Sequence, residues 1–217
     1  AAGWQSVELS DYDQRYYRQW MHEIPPLRHP QRYVEVDVHH ALLPVTARLQ
    51  ANSELLWSQV RSVPGSRFKV LGAEDMVLHA VVHLFHDSDF DGRLRDLVDI
   101  DGLLRHFAHR EPEFWHWLVR RAQAHGLERP LSYAFHVSRR LLRTPVPVGL
   151  LNAGRPNPVL LRWMETLICR ALPPPDSFAI GDVLSRWLLY VRSHYLRMPL
   201  KLLVPHLLRK ALVGRRH

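Results

Sequence analysis

The pattern of hydrophobic residues changes near residue 51 and divides the chain into two parts. Between Tyr33 and His40, valines at 34, 36 and 38 alternate with Glu35, Asp37 and His39. This period of two predicts a strand with one buried face. A second candidate strand covers 6–9, a short helix is expected over 11–21, and prolines punctuate 25–30. The first fifty residues therefore predict a small antiparallel sheet.

From residue 51 the hydrophobic period becomes 3.6 and continues to the end of the chain. Glycines and prolines interrupt it at the positions where helices are expected to end. The predicted helices are 52–62, 73–88, 93–108, 112–125, 129–143, 157–171, 180–197 and 200–213. We expect an α+β protein in three segments: a partial α/β core (1–50), a helical body (51–197) and a basic amphipathic helix (198–217).

The composition limits the cellular compartments in which this protein is expected. The 217 residues include a single cysteine, Cys169, so no internal disulfide can form, and a reducing compartment is expected. No apolar run is long enough to cross a membrane. These features predict a cytoplasmic location, with contact at the inner face of a membrane as an open alternative. Because the chain begins at Ala1 instead of Met, we also expect a processed or truncated product.

The net charge of +8 comes entirely from the C-terminal part of the chain. After Asp182 there are eight lysines and arginines and no acidic residue, which leaves 21 basic and 21 acidic residues in 1–182. The predicted amphipathic helix in 198–217 has three possible roles. It can dock on the helical body, contact a membrane surface or protein partner, or bind RNA. Nucleic acid is the least favoured partner, because no aromatic residues interleave its charges.

The polar face of the 33–40 strand carries the first candidate chemistry. Glu35, Asp37 and His39 would lie side by side there, a set suited to a divalent cation and a phosphate. A solvated face of a half-buried strand explains the same pattern equally well.

A histidine stripe on the 73–88 helix is the second candidate site. His79, His83 and His86 recur at spacings of four and three, so their imidazoles stack on the face opposite the apolar arc. Such a stripe can hold a transition metal, as in a histidine-ligated metalloenzyme. It can also face the Asp37 strand across a cleft, or be solvated. On the next helix, Asp96 and Asp99 could orient an imidazole, or could cap the helix or pair with neighbouring arginines.

The order of these motifs resembles the uncharacterised bacterial nucleotidyltransferase-like family. Asp-Val-His-His (37–40) follows a β-run, a helix entered through Glu-Asp (74–75) carries His79 and His83, and Leu-Val-Asp-Ile (97–100) lies on the following helix. The similarity covers roughly residues 1–145 and rests on short motifs.

This resemblance implies a polymerase-β-type nucleotidyltransferase fold. In that fold a Gly-Ser turn, an Asp-x-Asp pair and a third carboxylate hold two Mg²⁺ ions that orient the nucleoside triphosphate and activate an acceptor hydroxyl. Asp37 matches the third carboxylate and would bind Mg²⁺ or Mn²⁺, with Glu35 as its catalytic neighbour. His39, His83 and Asp99 would shape the nucleotide phosphate or acceptor side.

The chain departs from the family pattern in one respect: nothing in it matches the Gly-Ser turn followed by Asp-x-Asp on a strand. We expect that strand upstream of Ala1, which would leave the chain inactive as given. The predicted function of the intact protein is Mg²⁺-dependent transfer of a nucleotidyl group to an unknown hydroxyl acceptor. The alternative is a non-catalytic module that recruits a partner or membrane through its helical body and basic tail.

Overall fold

A three-stranded antiparallel sheet forms the N-terminal part of the molecule. The computed structural model describes residues 3–49, 51–86, 90, 92–152, 154, 157–173, 179–197, 199–201, 203 and 205. The strands are β1 (Gln5–Ser6), β2 (Leu27–His29) and β3 (Val34–Val36), in the order β1–β2–β3. Helix α1 (Asp11–Trp20) connects the first two strands. The predicted helix over 11–21 and the small antiparallel sheet are therefore confirmed.

Strand β3 is shorter and more exposed than the alternation of valines predicts. Val34, Val36 and Val38 are 48%, 38% and 41% exposed. The intervening Glu35 is exposed as well, so both faces of this edge strand meet solvent. The prediction of a half-buried strand over 33–40 is wrong, and Asp37 follows the strand instead of lying within it. Alternation identifies extended backbone, but it does not reveal whether another layer covers one face.

The remainder is mainly helical, which confirms the α+β class. The helices are α2 (Ser53–Ser58), α3 (Ala73–His86), α4 (Leu94–Arg110), α5 (Phe114–His125), α6 (Glu128–Leu142), α7 (Pro158–Ala171) and α8 (Ile180–Arg197), with a short 3₁₀ turn at Val148–Asn152. A hairpin of β4 (Arg61–Ser62) and β5 (Lys69–Val70) separates α2 from α3. The prediction of an unbroken helical period after residue 51 is therefore wrong at this hairpin.

Local sequence explains several helix ends. Asn52 and Asn157 each accept a hydrogen bond from a backbone N–H in the first turn of α2 and α7, at 2.9 Å in both cases. Pro158 occupies the start of α7, where its missing N–H costs nothing. Gly126 ends α5 in the left-handed conformation at φ 66°, which glycine adopts without strain.

Helix α3 lies at the centre of the core and contacts α4, α5, α6 and α8. Val77, Leu78, Val81 and Leu84 on its apolar face are fully buried. The predicted apolar arc of this helix is thus confirmed, and the opposite face carries His79 and His83, which are only partly buried. The central helix consequently holds the histidine stripe in a fixed position.

Helix α8 links this central helix to the N-terminal segment. Arg192 and Arg197 donate to the carbonyls of Phe85 and His86 at the end of α3, at 3.1 and 3.2 Å. Residues 46–48 in turn donate hydrogen bonds to the last carbonyls of α8. Thr46 Oγ1 donates to the Arg197 carbonyl at 2.8 Å, and the Arg48 backbone N–H donates to the Leu196 carbonyl at 2.8 Å. Both helix ends are capped by distant parts of the chain.

Replacing Thr46 with valine should lower the free energy of unfolding by about 1–2 kcal/mol, because the Arg197 carbonyl loses its donor while the shape of the side chain is kept. Urea unfolding followed by circular dichroism measures the change. Thr166→Val is the matched control, since the exposed Thr166 hydroxyl only bonds back to a carbonyl of its own helix. Equal stabilities of the two variants would contradict the capping role.

Within the described residues, no helix has the length and hydrophobicity needed to cross a membrane. The predicted basic helix over 198–217 lies almost wholly outside the described residues, which include only 199–201, 203 and 205 of it. Its role, and the division at 50/51 and 197/198, stay predictions.

Candidate functional site

Four imidazoles gather where the N-terminal segment meets α3. We call His22, His39, His79 and His83 the histidine cluster. The ring centroids of His22 and His39 lie 4.9 Å apart, and those of His39 and His83 lie 5.5 Å apart. His79 lies 5.4 Å from His83 and 6.2 Å from His39. The structure therefore brings together the two predicted phosphate-side histidines, His39 and His83.

Backbone pairing holds the N-terminal half of this cluster. The Ile24 N–H donates to the Val38 carbonyl at 3.0 Å, and the His40 N–H donates to the His22 carbonyl at 2.9 Å. Glu23 and His39 form an isolated antiparallel bridge between the same two stretches. These bonds align the segment after α1 with the segment after β3, and they place His22 beside His39.

The side chains of the cluster are close enough to act on one ligand. His22, His39 and His83 each offer a nitrogen, and these three atoms lie within 4.8 Å of one another. Glu23 Oε2 lies 3.2 Å from His39 Nε2, with both side chains largely shielded from solvent. The Nδ1 atom of His22 is buried without a hydrogen-bond partner among the described residues.

Burial and mutual repulsion keep part of this cluster neutral. Burial, followed by the charges of His39 and His83, lowers the pKa of His22 from 6.5 to about 3. Burial and the same two neighbours lower the pKa of His79 to about 4. Both imidazoles are therefore uncharged near neutral pH, and each keeps a nitrogen lone pair available.

Two cavities flank the histidine helix and share Val82 and His86 in their walls. The smaller, of about 130 Å³, adjoins the histidine cluster and is lined by His22, His83 and Arg197 among others. The larger, of about 580 Å³, lies between α3, α6 and α8. We call it the arginine cavity, because Arg48, Arg129 and Arg192 line it.

The other predicted site residues lie outside the histidine cluster. Asp37 is exposed just after β3, and Glu35 is paired with Arg28 of the neighbouring strand at 2.6 Å. Asp99 is exposed on α4. Asp96 is paired with Arg93 at 2.6 Å, so the surface ion pair that its sequence position left open is observed.

The sequence left three roles open for the stripe of His79, His83 and His86: a metal site, a polar face toward the Asp37 strand, or a solvated face. The group of potential ligands that the described residues bring together is His22, His39 and His83. His86 is buried at the C-terminal end of α3 and lines the smaller cavity together with His22 and His83. His83 also meets His22 and His39 from the N-terminal segment. His22 and Glu23 are absent from the sequence prediction. Their only sequence signal is that they form a polar pair directly before Ile-Pro-Pro at 24–26, and this does not indicate which residues they contact.

The described residues do not fit a Mg²⁺ site of the kind the resemblance implies. Mg²⁺ requires several oxygen ligands in octahedral geometry. Asp37 is exposed, the Glu35 carboxylate is held by Arg28, and neither belongs to the one group of potential ligands that the described residues bring together. That group consists of imidazoles, which suit softer divalent metals.

Comparison with known proteins places the chain in a family. No curated protein and no solved structure gives a significant match. A family model described as an uncharacterised nucleotidyltransferase matches residues 1–143, which include the sheet, the histidine cluster and helices α1 to α6. Since this match covers 143 of the 217 residues, the chain belongs to that uncharacterised nucleotidyltransferase family.

Proposed function

We propose that this protein transfers a nucleotidyl group from a nucleoside triphosphate to a hydroxyl acceptor. Family membership supports the reaction class. The arginine cavity lies beside the smaller cavity that adjoins the histidine cluster, and the two cavities share Val82 and His86 in their walls. This position is the observation that assigns the reaction to particular residues. Such an arrangement offers a binding site for an anionic chain next to the imidazoles of the histidine cluster.

The chemistry requires charge stabilisation along the triphosphate. The acceptor oxygen forms a bond to the α-phosphorus while the bond from that phosphorus to the pyrophosphate oxygen breaks. Pyrophosphate leaves with the bonding electrons, and the acceptor loses its proton to a base or to water. Guanidinium groups suit the leaving polyphosphate, because their planar donors match phosphate oxygens.

In the proposal, the arginine cavity holds the triphosphate. Arg48 and Arg192 already donate to the carbonyls of Tyr195 and Phe85, at 2.9 and 3.1 Å, and each guanidinium has further N–H donors. Burial lowers the pKa of Arg192, the contact with the Tyr133 side chain raises it in part, and the neighbouring charge of Arg129 lowers it again. An anion bound there would offset the effects of burial and of Arg129. Among the described residues of the same wall, Glu128 is the carboxylate, and one negative charge would not neutralise all three arginines.

His39 and His83 would form the acceptor side of this site, as their contact across the two segments suggests. Asp37 is proposed as a metal-binding carboxylate with Glu35 beside it, and Glu35 would first have to leave Arg28. Because the described residues do not form a complete oxygen cage for Mg²⁺ or Mn²⁺, the ion enters no step of the proposal. Asp99 lies on the exposed surface of α4, and we assign it no role.

Arg129→Ala should weaken nucleoside triphosphate binding about tenfold or more, because a charge-assisted hydrogen bond contributes about 1.5–3 kcal/mol. Isothermal calorimetry with ATP and with CTP, each with and without Mn²⁺, measures the affinity. Arg95→Ala is the matched control, since Arg95 is exposed on α4 and lies outside the cavity.

Two outcomes would contradict parts of this proposal separately. If neither nucleotide binds the wild-type protein, or if both arginine variants behave alike, the arginine cavity is not the nucleotide seat. If Asp37→Ala leaves the Mn²⁺-dependent part of binding unchanged, the assignment of Asp37 fails while the cavity assignment stands.

A further inference from the structure

We propose that His22, His39 and His83 bind one divalent transition-metal ion of the zinc class. The three residues come from separate segments: one follows α1, one follows β3 and one lies on α3. Their ligand atoms nevertheless converge to within 4.8 Å of one another. Three protein nitrogens with an open fourth position are a common arrangement for catalytic zinc.

The observed spacing is close to what such an ion needs. Zinc–nitrogen bonds of about 2.0–2.1 Å place tetrahedral ligand atoms roughly 3.3 Å apart. The three imidazoles would therefore have to move together by at most about 1.5 Å, given their present spacing within 4.8 Å. The paired backbone of the N-terminal segments fixes His22 and His39, while the helix fixes His83.

Two further observations fit a metal ligand set better than a set of structural histidines. The buried Nδ1 of His22 has no hydrogen-bond partner among the described residues, and a metal bond would satisfy it. Glu23 Oε2 lies 3.2 Å from His39 Nε2, and a carboxylate beside an imidazole commonly orients a metal-bound ring.

The chemistry of these ligands selects the class of ion. Imidazoles bind zinc, copper and nickel well, whereas Mg²⁺ prefers carboxylate, carbonyl and water oxygens. The site is thus distinct from a Mg²⁺ site at Asp37. With three nitrogens bound, the fourth position would take water or another oxygen ligand. This inference does not depend on nucleotidyl transfer, because the ion is detected without any nucleotide.

The test uses the full chain without an affinity tag, stripped with a chelator and titrated with Zn²⁺ alone. We expect one tight equivalent of Zn²⁺ by calorimetry, and a tetrahedral cobalt spectrum after loading with Co²⁺. His39→Gln and His83→Gln should each weaken binding by more than the roughly 10–100-fold that loss of an orienting partner causes. Glu23→Gln should fall within that range. His109→Gln is the matched control, an exposed histidine outside the cluster.

The proposal is overturned if the wild-type protein binds no stoichiometric Zn²⁺, or if both glutamine variants bind it as well as His109→Gln does. Circular dichroism identifies any variant that fails to fold. X-ray absorption of the zinc-loaded wild type decides the matter in that case. A shell of several imidazole nitrogens supports the site, and an oxygen shell overturns it. Nucleotide titrations in the absence of zinc report on the proposed function separately.

Discussion

Replacing Asp75 with asparagine is expected to lower the free energy of unfolding by about 3–5 kcal/mol, the loss typical of breaking a buried ion pair. The Asp75 side chain is 1% exposed in the first turn of α3, and the Arg121 guanidinium of α5 donates to both of its oxygens at 2.7 Å. His125 Nε2 lies 3.3 Å from the same carboxylate. The substitution would leave the largely buried Arg121 guanidinium without its negative partner, and this unpaired buried charge accounts for most of the expected loss of stability.

This carboxylate also ties three elements together. Arg121 donates to the Leu55 carbonyl of α2 as well as to Asp75, so one guanidinium joins α2, α3 and α5. Burial alone raises the pKa of Asp75, but His125 and Arg121 lower it more, and the net pKa lies below its usual value. The carboxylate is therefore ionised throughout the neutral range, and its stabilising effect is lost only as the pH falls through that lowered pKa.

Urea unfolding at neutral pH measures the effect of Asp75→Asn. Asp96→Asn is the control, because Asp96 pairs with Arg93 at a similar distance while both side chains are about one third exposed. That pair should contribute at most about 1 kcal/mol. If the two variants were equally stable, burial would not be the property that makes the Asp75 pair important.

The sequence predicts the helices of the body, although not the β4–β5 hairpin or the polar contacts between helices. The apolar arc of α3 is visible in the spacing of Val77, Val81 and Leu84, because helix periodicity is a local property. Asp75 belongs to the same helix, yet its partner Arg121 lies 46 residues away. No local pattern distinguishes an acidic residue that begins a helix from one that anchors another helix.

The candidate site also depends on contacts between residues far apart in the sequence, which local patterns do not predict. His39 and His83 were both selected from their own local motifs, and the structure places them in contact. His22 was not selected, because its proximity to His39 depends on pairing with residues 38–40, and the stretch around His22 carries no strand signal of its own. The opposite error occurred at β3, where the regular alternation of valines suggested a covered strand face that is open to solvent.

Acidification is expected to destabilise the metal-free protein progressively below pH 6.5. His22 and His79 have pKa values lowered from 6.5 to about 3 and about 4, mainly by burial. Between these values and 6.5, the unfolded chain binds protons that the folded state does not. Stability is therefore full above pH 6.5 and falls as the pH decreases, by at most about 1.4 kcal/mol per pH unit for each histidine.

The charges around the two rings explain why the folded state resists protonation. His22 faces His39, His83, His86 and Arg197, and His79 faces His39 and His83. Among the described residues, Glu23 places a carboxylate close to this group, 3.2 Å from His39. Urea unfolding in the presence of a chelator, from neutral pH down to about pH 4, gives the dependence of stability on pH. His79→Gln should flatten this dependence because one proton uptake is removed, whereas the exposed His109→Gln should leave it as in the wild type. Parallel profiles for all three proteins would mean that the imidazoles of the cluster are solvated in solution. In that case His22, His39 and His83 would not pack closely enough to share a ligand.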